Sequence, residues 1–216
     1  MKNYRFILFD LDGTLTDPKV GITKSVQYAL HKMNIVEQDL EKLTCFIGPP
    51  LQVSFKEYYG FDEEQTKSAI DYYRERFKEQ GIFENELYEG ILPLVQLLKE
   101  QQYRLVVATS KPTVFAEQIL KHFELESYFD LIVGSNLDGT RSSKADIIRF
   151  ILDYYKGYGN KDFVMIGDRK HDIIGANDTH IDSIAVSYGY GSMEELTESN
   201  PTQTAESVEQ LKELLV

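Results

Sequence analysis

Five short apolar runs, each ended by a turn or a polar residue, constrain the fold of this 216-residue chain more than any other feature. The runs are nearly continuous in apolar character, which is typical of strands buried on both faces of a sheet. They are FILF (6–9), LVVAT (105–109), FDLIVG (129–134), FVMIG (163–167) and SIAVSY (183–188). Strands of this kind belong to parallel sheets that helices cover on both sides.

Helical periodicity fills the segments between these runs, and leucines spaced along one face are typical of amphipathic helices. The spacing predicts helices over 93–101, 112–123, 143–155 and 205–215. Ser143 stands three residues before Asp146, a spacing that favours an N-cap at the third of these helices. Strands that alternate with helices in this way predict an α/β fold, a doubly wound parallel sheet with a Rossmann-like core.

One long stretch interrupts the alternation. Over 17–88 the sequence carries helical patterns and no convincing strand run, with Ile22 and Val26 on one face of the first helix. We therefore expect an α/β core formed by 1–16 and 89–216, into which an all-helical domain, 17–88, is inserted.

The charge balance and the cysteine content limit the partners and the compartment. Acidic residues outnumber basic ones by 35 to 23, a formal net charge of −12, and such a surface repels nucleic-acid backbones. Cys45 is the single cysteine, which excludes a disulfide within the chain and favours a reducing compartment. We find no secretory signal pattern and no apolar run long enough for a membrane span. We therefore expect a cytoplasmic protein whose partner is a small molecule, with the oligomeric state left open.

Polar residues stand where predicted strands end and where one predicted helix begins. In chain order they are Asp10, Asp12, Thr109, Ser110, Lys144, Asp168 and Asp172. Ligands of an open parallel sheet bind beyond the carboxyl ends of the strands, so we expect these side chains to converge. Crowded carboxylates repel one another and need a cation, and all-oxygen ligation of this kind suits Mg²⁺. A bound Mg²⁺ in turn favours an anionic substrate, for which phosphate is the usual group.

The segment Asp10-Leu11-Asp12-Gly13-Thr14 carries most of the chemical information. Residues i and i+2 of an extended segment point to the same side, so both carboxylates can face one pocket. One can attack phosphorus as a nucleophile, and the other can serve as acid and then as base. Thr109 and Ser110 can donate hydrogen bonds to phosphate oxygens, and Lys144 can neutralise charge in the transition state.

Each of these motifs also has a simpler explanation when it stands alone. The D-x-D-G-T string occurs in calcium loops and turns, Thr109-Ser110 suits a helix N-cap, and a lone lysine such as Lys144 is usually solvated. Asp168 and Asp172 could cap a short helix. It is their joint occurrence, in this order and at strand ends, that indicates a site.

Four segments of the chain resemble a known family. FILFDLDGT, VVATSK, Lys144 and IGDRKHD match, in order, the four motifs of the haloacid dehalogenase-like hydrolase superfamily. The resemblance covers nearly the whole chain and implies that Asp10 is the nucleophile and Asp12 the acid and base. Thr109 and Ser110 would then bind the phosphoryl group, and Lys144 would neutralise charge.

The same resemblance implies a metal site and a cap. Asp10, the backbone carbonyl of Asp12, and Asp168 would hold Mg²⁺, with Asp172 as a ligand through water or as support. The insert looks like the helical cap of the phosphoglycolate phosphatase-like branch, which closes over the substrate. Gly48-Pro49 is similar to the cap loop that reaches into the site in that branch, and Ser110-Lys111-Pro112 is similar to its Asn-Lys-Pro string. The resemblance therefore adds Gly48, Pro49 and Lys111 to the expected substrate-binding residues.

Other activities remain to be weighed against a phosphatase. Dehalogenases of this superfamily lack the second acid, so Asp12 argues against that reaction, and no cap lysine is marked as desolvated for phosphonate hydrolysis. Phosphosugar mutases share every core motif and stay open. Receiver domains, which are non-enzymatic switches phosphorylated on an aspartate, carry the acceptor on a middle strand and no cap.

The substrate is less constrained than the reaction. A closing cap and an acidic surface favour small phosphomonoesters, with phosphoglycolate the default that the resemblance implies. Aromatic residues are frequent in the insert, and at helical spacing they are more typical of a cap core than of a platform for a nucleobase. They nevertheless keep nucleoside 5′-monophosphates as the alternative. These residues are Tyr28, Phe46, Phe55, Tyr58, Tyr59, Tyr72 and Tyr73.

Overall fold

The structure, a computed structural model, describes residues 4–216. Its strands are β1 (Phe6–Phe9), β2 (Thr16–Asp17), β3 (Glu86–Leu87), β4 (Arg104–Pro112), β5 (Leu131–Ser135), β6 (Phe163–Gly167), β7 (Asp182–Val186) and β8 (Gln203–Ala205). Within the described residues, six of them form one sheet in the order β5-β4-β1-β6-β7-β8, and β2 pairs with β3 separately. Every neighbouring pair of the six-stranded sheet is parallel.

Helices connect the strands of the sheet. They are α1 (Lys19–Lys32), α2 (Leu51–Tyr59), α3 (Glu63–Arg76), α4 (Ile91–Glu100), α5 (Thr113–His122), α6 (Lys144–Tyr154), α7 (Lys170–Asp178), α8 (Met193–Glu198) and α9 (Val208–Leu215). A 3₁₀ helix (Leu40–Phe46) precedes α2, and a π-helical turn (Phe77–Gly81) follows α3. The longest helices have 14 residues, about 21 Å. Among residues 4–216 no helix is long and apolar enough to cross a bilayer.

The chain divides into two compact units. Unit 1 comprises the described residues of Met1–Asp17 together with Leu87–Val216, and unit 2 is Pro18–Glu86. Unit 1 contains the six-stranded sheet, and unit 2 contains α1, α2 and α3. That unit 2 acts as a cap over a substrate stays a prediction.

The core of unit 1 is built around the central strand β1. All four of its residues are fully buried, because β4 and β6 flank it and helices cover both faces of the sheet. On one face Phe6 stacks on Phe163, with 4.4 Å between the ring centroids. Burial of each such side chain stabilises the fold by about 1.5–3 kcal/mol. Helix α6 contributes Ile147, Ile148 and Ile151 to the same cluster.

Unit 2 is held by helix packing and a separate aromatic cluster. A Cβ on Gly21 of α1 would lie 2.0 Å from the carbonyl oxygen of Gly81, so α1 meets the π-helical turn with no room for a side chain. Phe46 and Phe55 are buried and pack edge to face at 4.9 Å. The aromatic residues of the insert therefore form core at these positions, whereas Tyr58 is 44% exposed.

The predicted fold class is confirmed, and most predicted elements lie where the sequence places them. Ser143 caps α6, since its Oγ accepts a hydrogen bond from the Asp146 amide at 3.1 Å. Other details differ: the short strands β2 and β3, at the two ends of the predicted all-helical insert, and the strand β8 are not expected from the sequence. Strand β4 extends to Pro112, where the sequence predicts the start of a helix, and the last helix begins at Val208 rather than at 205. Strand β8 is a three-residue edge strand with two exposed residues, so it lacks the continuous apolar character that marks the buried strands.

Candidate active site

The loop that follows β1 positions Asp10 and Asp12 at the carboxyl edge of the sheet. The Asp10 amide donates to the carbonyl of Ile166 at 2.8 Å, which extends the β1–β6 pairing by one residue. Asp10 Oδ1 accepts a hydrogen bond from the Leu11 amide at 2.7 Å, which fixes the carboxylate against its own backbone. Gly13 has φ of +83°, and a Cβ there would lie 2.2 Å from Asp168 Oδ2. The loop therefore needs glycine at this position for both conformation and space.

Lys144, the first residue of α6, joins two of the predicted carboxylates. Its Nζ lies 3.0 Å from Asp10 Oδ1 and 2.7 Å from Asp172 Oδ1. It also donates a hydrogen bond to the carbonyl oxygen of Ala108 at 2.7 Å, so the ammonium group lies against three oxygen atoms. The side chains of Lys144, Asp10 and Asp172 are at most 4% exposed, so solvent screens these contacts little.

A second lysine pairs with Asp12. Lys111 Nζ lies 2.8 Å from Asp12 Oδ2, and both side chains are under 10% exposed. The other oxygen, Asp12 Oδ1, is buried and accepts no hydrogen bond from the described residues. Asp172 Oδ1, although ion-paired with Lys144, is likewise buried without a hydrogen bond from the described residues, so two carboxylate oxygens of the site can accept a proton or bind a ligand.

Asp168 and Asp172 follow β6 and complete an acidic cluster. One oxygen each from Asp10, Asp168 and Asp172 lies within 4.8 Å of the others, and all three residues are buried. Asp168 accepts hydrogen bonds from the Tyr190 amide at 2.7 Å and from Thr14 Oγ1 at 3.3 Å. Asp172 Oδ2 accepts from the Arg169 amide at 3.1 Å, at the start of α7.

The charges of this region leave an excess of negative charge. The region holds four carboxylates, those of Asp10, Asp12, Asp168 and Asp172, and its direct ion pairs supply only two ammonium groups, those of Lys111 and Lys144. The Arg169 guanidinium also acts on Asp168, but it is itself paired with Glu195. A buried excess of this kind needs a cation, and the donors are all oxygen atoms. The residues present therefore fit Mg²⁺, which prefers oxygen ligands.

Burial and these charges shift the pKa values of the site. Burial raises the pKa of Asp12 above its usual value, and the Lys111 ammonium opposes this. Burial together with Asp172 and Asp10 holds the pKa of Asp168 well above its usual range. Burial alone would lower the pKa of Lys144, but Asp10 and Asp172 reverse this and raise it. Lys144 therefore stays charged, whereas Asp12 binds a proton more readily than a solvated aspartate.

The end of β4 brings the predicted hydroxyl residues to the same edge. Thr109 is 2% exposed, and its Oγ1 accepts a hydrogen bond from the Lys111 amide at 3.2 Å. Ser110 is half-buried on the same segment, where the β4–β5 register shifts between Ala108 and Pro112.

The structure thus places seven of the sequence-predicted residues at one edge of the sheet in unit 1, where ion pairs, hydrogen bonds or short distances connect them. Ser110 is adjacent to two of them in the chain. Those seven are Asp10, Asp12, Thr109, Lys111, Lys144, Asp168 and Asp172. Gly48 and Pro49 belong to unit 2, and their substrate-binding role stays a prediction. Asp12 lies outside the three-carboxylate cluster, so its part in metal binding through the backbone carbonyl also stays a prediction.

Sequence reasoning assigned no role to the segment that contacts Asp168 from the other side. Tyr190 binds Asp168 through its backbone amide, and Ala108 binds Lys144 through its carbonyl. Every residue other than proline offers both groups, so residue type carries no signal for such contacts. The string SYGYGSMEEL (187–196) also resembles the phosphoglycolate phosphatase-like branch, but that resemblance gives no role to any of its residues.

Comparisons with known proteins identify the family of this chain. Residues 7–186 match the family described as haloacid dehalogenase-like hydrolase. The chain is 47% identical over 212 residues to a 5'-nucleotidase of Pseudomonas aeruginosa, covering 98% of this chain and 96% of that protein. It is 35% identical to the tyrosine-protein kinase PtkA of Mycobacterium tuberculosis, covering 98% of this chain and 72% of that one. The crystal structure of a predicted phosphatase from Clostridium acetobutylicum is 52% identical, with a TM-score of 0.96 and 98% of each chain covered.

Proposed function

We infer that this chain, a phosphatase that belongs to the haloacid dehalogenase-like hydrolase family, transfers the phosphoryl group of a small phosphomonoester to Asp10 and then to water. The observation that carries the proposal is the Lys144 ammonium held between Asp10 and Asp172, with Asp12 two residues beyond the nucleophile on the same loop. We favour an enzyme over a phospho-accepting switch of the receiver type, since the matching family is described as a hydrolase and relatives of this chain are named 5'-nucleotidase and phosphoglycolate phosphatase.

The proposed reaction has two balanced steps. In the first, a carboxylate oxygen of Asp10 attacks phosphorus, the ester bond breaks, and protonated Asp12 gives its proton to the leaving oxygen. In the second, ionised Asp12 takes a proton from water as the water oxygen attacks phosphorus, and phosphate leaves with Asp10 restored. The raised pKa of Asp12, caused first by burial, favours the protonated form that the first step needs.

The remaining residues orient the groups and balance charge. Lys144 fixes the Asp10 carboxylate and offsets the negative charge that develops as phosphorus is attacked. The hydroxyl groups of Thr109 and Ser110 would bind phosphoryl oxygens. Lys111, which pairs with Asp12, would meet the phosphate of a bound substrate from the same side.

We propose that Asp10, Asp168 and the Asp12 carbonyl hold Mg²⁺, supported by Asp172. A bound Mg²⁺ supplies charge neutralisation and orientation for the phosphoryl group. The buried cluster of Asp10, Asp168 and Asp172 supports this assignment, because a cation there lets these carboxylates stay ionised, whereas without one their negative charge favours the uptake of protons.

For the substrate we propose nucleoside 5′-monophosphates. The relative named 5'-nucleotidase is 47% identical over nearly the full length of both chains. Phosphoglycolate, the default that the sequence resemblance implied, is the second candidate. It is supported by relatives named phosphoglycolate phosphatase from Colwellia psychrerythraea and Pseudomonas aeruginosa, at 26% and 25% identity.

A phosphate-release screen with Mg²⁺ tests the substrate. The panel holds the common nucleoside 5′-monophosphates, phosphoglycolate and hexose monophosphates, and kcat/KM is measured for each. We expect the highest values for nucleoside 5′-monophosphates. A clear preference for phosphoglycolate contradicts the substrate proposal and leaves the chemistry standing, and isomerisation of a hexose phosphate without phosphate release indicates a mutase.

Because one relative is named a tyrosine-protein kinase, the screen also includes a test for kinase activity. A phosphatase and such a kinase differ in the acceptor of the phosphoryl group, which is water in one and a tyrosine hydroxyl in the other. When the chain is incubated with ATP and a tyrosine-containing peptide, we expect no phosphotyrosine. In parallel control reactions with phosphomonoesters, the same preparation should release free phosphate.

A further inference from the structure

The segment Tyr188–Gly191 follows β7 and touches the candidate site, yet no step proposed above uses it. The Tyr190 amide donates to Asp168 Oδ2 at 2.7 Å. The other oxygen of Asp168 accepts from Thr14 Oγ1 at 3.3 Å. Both oxygens therefore have a donor, one from the segment and one from the loop that carries Asp10.

Two glycines allow the backbone of this segment to pack closely against Asp168. A Cβ on Gly189 would lie 2.3 Å from the carbonyl oxygen of Gly13 and 2.4 Å from Asp168 Cβ. A Cβ on Gly191 would lie 2.0 Å from the carbonyl oxygen of Asp168. Contacts this short leave no room for a side chain, so the backbone itself forms the wall beside Asp168.

The two tyrosines attach the segment to the loop after β1. The Tyr188 hydroxyl donates to the carbonyl oxygen of Thr14 at 3.0 Å, and the Tyr190 hydroxyl donates to Asp17 Oδ1. The Tyr188 ring also meets the Tyr88 ring edge to face, with centroids 5.1 Å apart. Burial raises the pKa of both Tyr188 and Tyr190, so their hydroxyls stay protonated and remain donors.

We propose that Tyr188 and Tyr190 are positioning residues for Asp168: their hydroxyls fix the segment to the Asp10 loop so that the Tyr190 amide orients the Asp168 carboxylate toward a divalent cation. The cation itself rests on the metal site proposed above. Of the two anchors, Thr14 lies in the turn that leads to β2, and Asp17 is the last residue of β2. With the anchors lost, the segment can shift, and the amide no longer holds the Asp168 carboxylate in one rotamer.

The effect of losing a residue that orients a metal ligand can be estimated. Residues that orient a metal ligand without touching the metal change metal affinity or activity by about 10- to 100-fold when they are replaced. For Tyr188→Phe/Tyr190→Phe, which keeps both rings and removes both hydroxyls, we expect the dissociation constant for Mg²⁺ to rise about 10-fold. At saturating Mg²⁺ the kcat should return to within about threefold of wild type, because no group that touches the substrate has changed.

The experiment measures Mg²⁺ binding by titration calorimetry on the EDTA-stripped full chain without substrate, and then kcat against Mg²⁺ concentration. Tyr4→Phe is the matched control, because Tyr4 also donates its hydroxyl to an aspartate, Asp182 Oδ2 at 3.0 Å, at the amino end of β7. That variant should lose some thermal stability and keep its Mg²⁺ affinity. Tyr190→Phe alone, expected at about threefold, serves if the double variant does not fold.

The outcomes separate this inference from the proposed function. A double variant with unchanged Mg²⁺ affinity, whatever its melting temperature, overturns the positioning role. A wild-type protein that binds no Mg²⁺, with Asp168→Asn indistinguishable from it, overturns the metal site itself and this inference with it. Weaker binding in the double variant, unchanged binding in Tyr4→Phe and recovery of kcat at high Mg²⁺ together support the role.

Discussion

Replacing Lys144 with methionine tests the electrostatic design of the site. Methionine keeps the length of the side chain and removes the ammonium that contacts Asp10, Asp172 and the Ala108 carbonyl. The two carboxylates then face each other, buried, with no cation between them. Breaking a buried ion pair by removing one partner costs about 3–5 kcal/mol. We therefore expect the free energy of unfolding in EDTA at pH 8 to fall by about that amount.

The size of this loss should depend on pH. In the wild-type protein burial raises the pKa of Asp172 to about 6, although the Lys144 ammonium opposes the rise. A carboxyl whose folded-state pKa is raised favours the folded state below its unfolded pKa, and this advantage is lost as the pH rises through the folded value. Without Lys144 the Asp172 pKa lies higher still, so the loss continues above pH 6. The stability deficit of the variant should therefore shrink as the pH falls from 8 toward 6, because Asp172 protonates earlier in the variant, and it should change little below pH 6, where Asp172 is protonated in both folded proteins.

The assay is urea unfolding of both proteins in EDTA from pH 5 to 8, with Lys99→Met as the control. Lys99 Nζ also lies 2.8 Å from a carboxylate, Asp130, but the two side chains are 31% and 22% exposed. Its loss should cost about 1 kcal/mol or less. The kcat of Lys144→Met should fall at least about 100-fold, because charge in the transition state loses its partner. A variant as stable as wild type at pH 8, with kcat within tenfold, would refute this reasoning.

Three further predictions concern the metal, unit 2 and its acid stability. Excess EDTA should abolish phosphate release and added Mg²⁺ restore it, so a full rate in EDTA counts against the metal site. Gly21→Ala should lower the melting temperature, because its Cβ would lie 2.0 Å from the Gly81 carbonyl, whereas Gly159→Ala, with no atom nearer than 3.7 Å, should do so much less; equal effects contradict the packing. The Arg76 guanidinium, 2.8 Å from Glu84, lowers the pKa of that carboxyl. Wild type should therefore lose stability more steeply than Glu84→Gln as the pH falls below about 4.5, measured by thermal unfolding, and parallel curves speak against the pair.

The sequence was sufficient for the five buried strands of the sheet and for the acidic residues that follow them. Nearly continuous apolar runs are typical of strands buried on both faces of a sheet. Carboxylates that follow such strands lie close together and repel one another, so they indicate a bound cation. The positions of Asp10, Lys144 and Asp172 follow from parallel strand order together with the start of α6.

What the sequence could not predict rests on contacts that residue type does not encode. The Tyr190 amide on Asp168 and the Ala108 carbonyl on Lys144 are backbone groups that almost any residue supplies. The pairing of Lys111 with Asp12 depends on where β4 continues past its apolar run to Pro112. Strand β8 is polar and short, so only its pairing with β7 defines it.

Trapping of the phosphorylated enzyme tests the central claim most directly. The full chain is mixed with a nucleoside 5′-monophosphate carrying a labelled phosphate, quenched in acid during turnover, and digested with pepsin at low pH for mass spectrometry. The account predicts an acyl phosphate on Asp10, sensitive to hydroxylamine and absent from Asp10→Asn. Steady turnover of that substrate with no label on Asp10, or with the label on another residue, contradicts it.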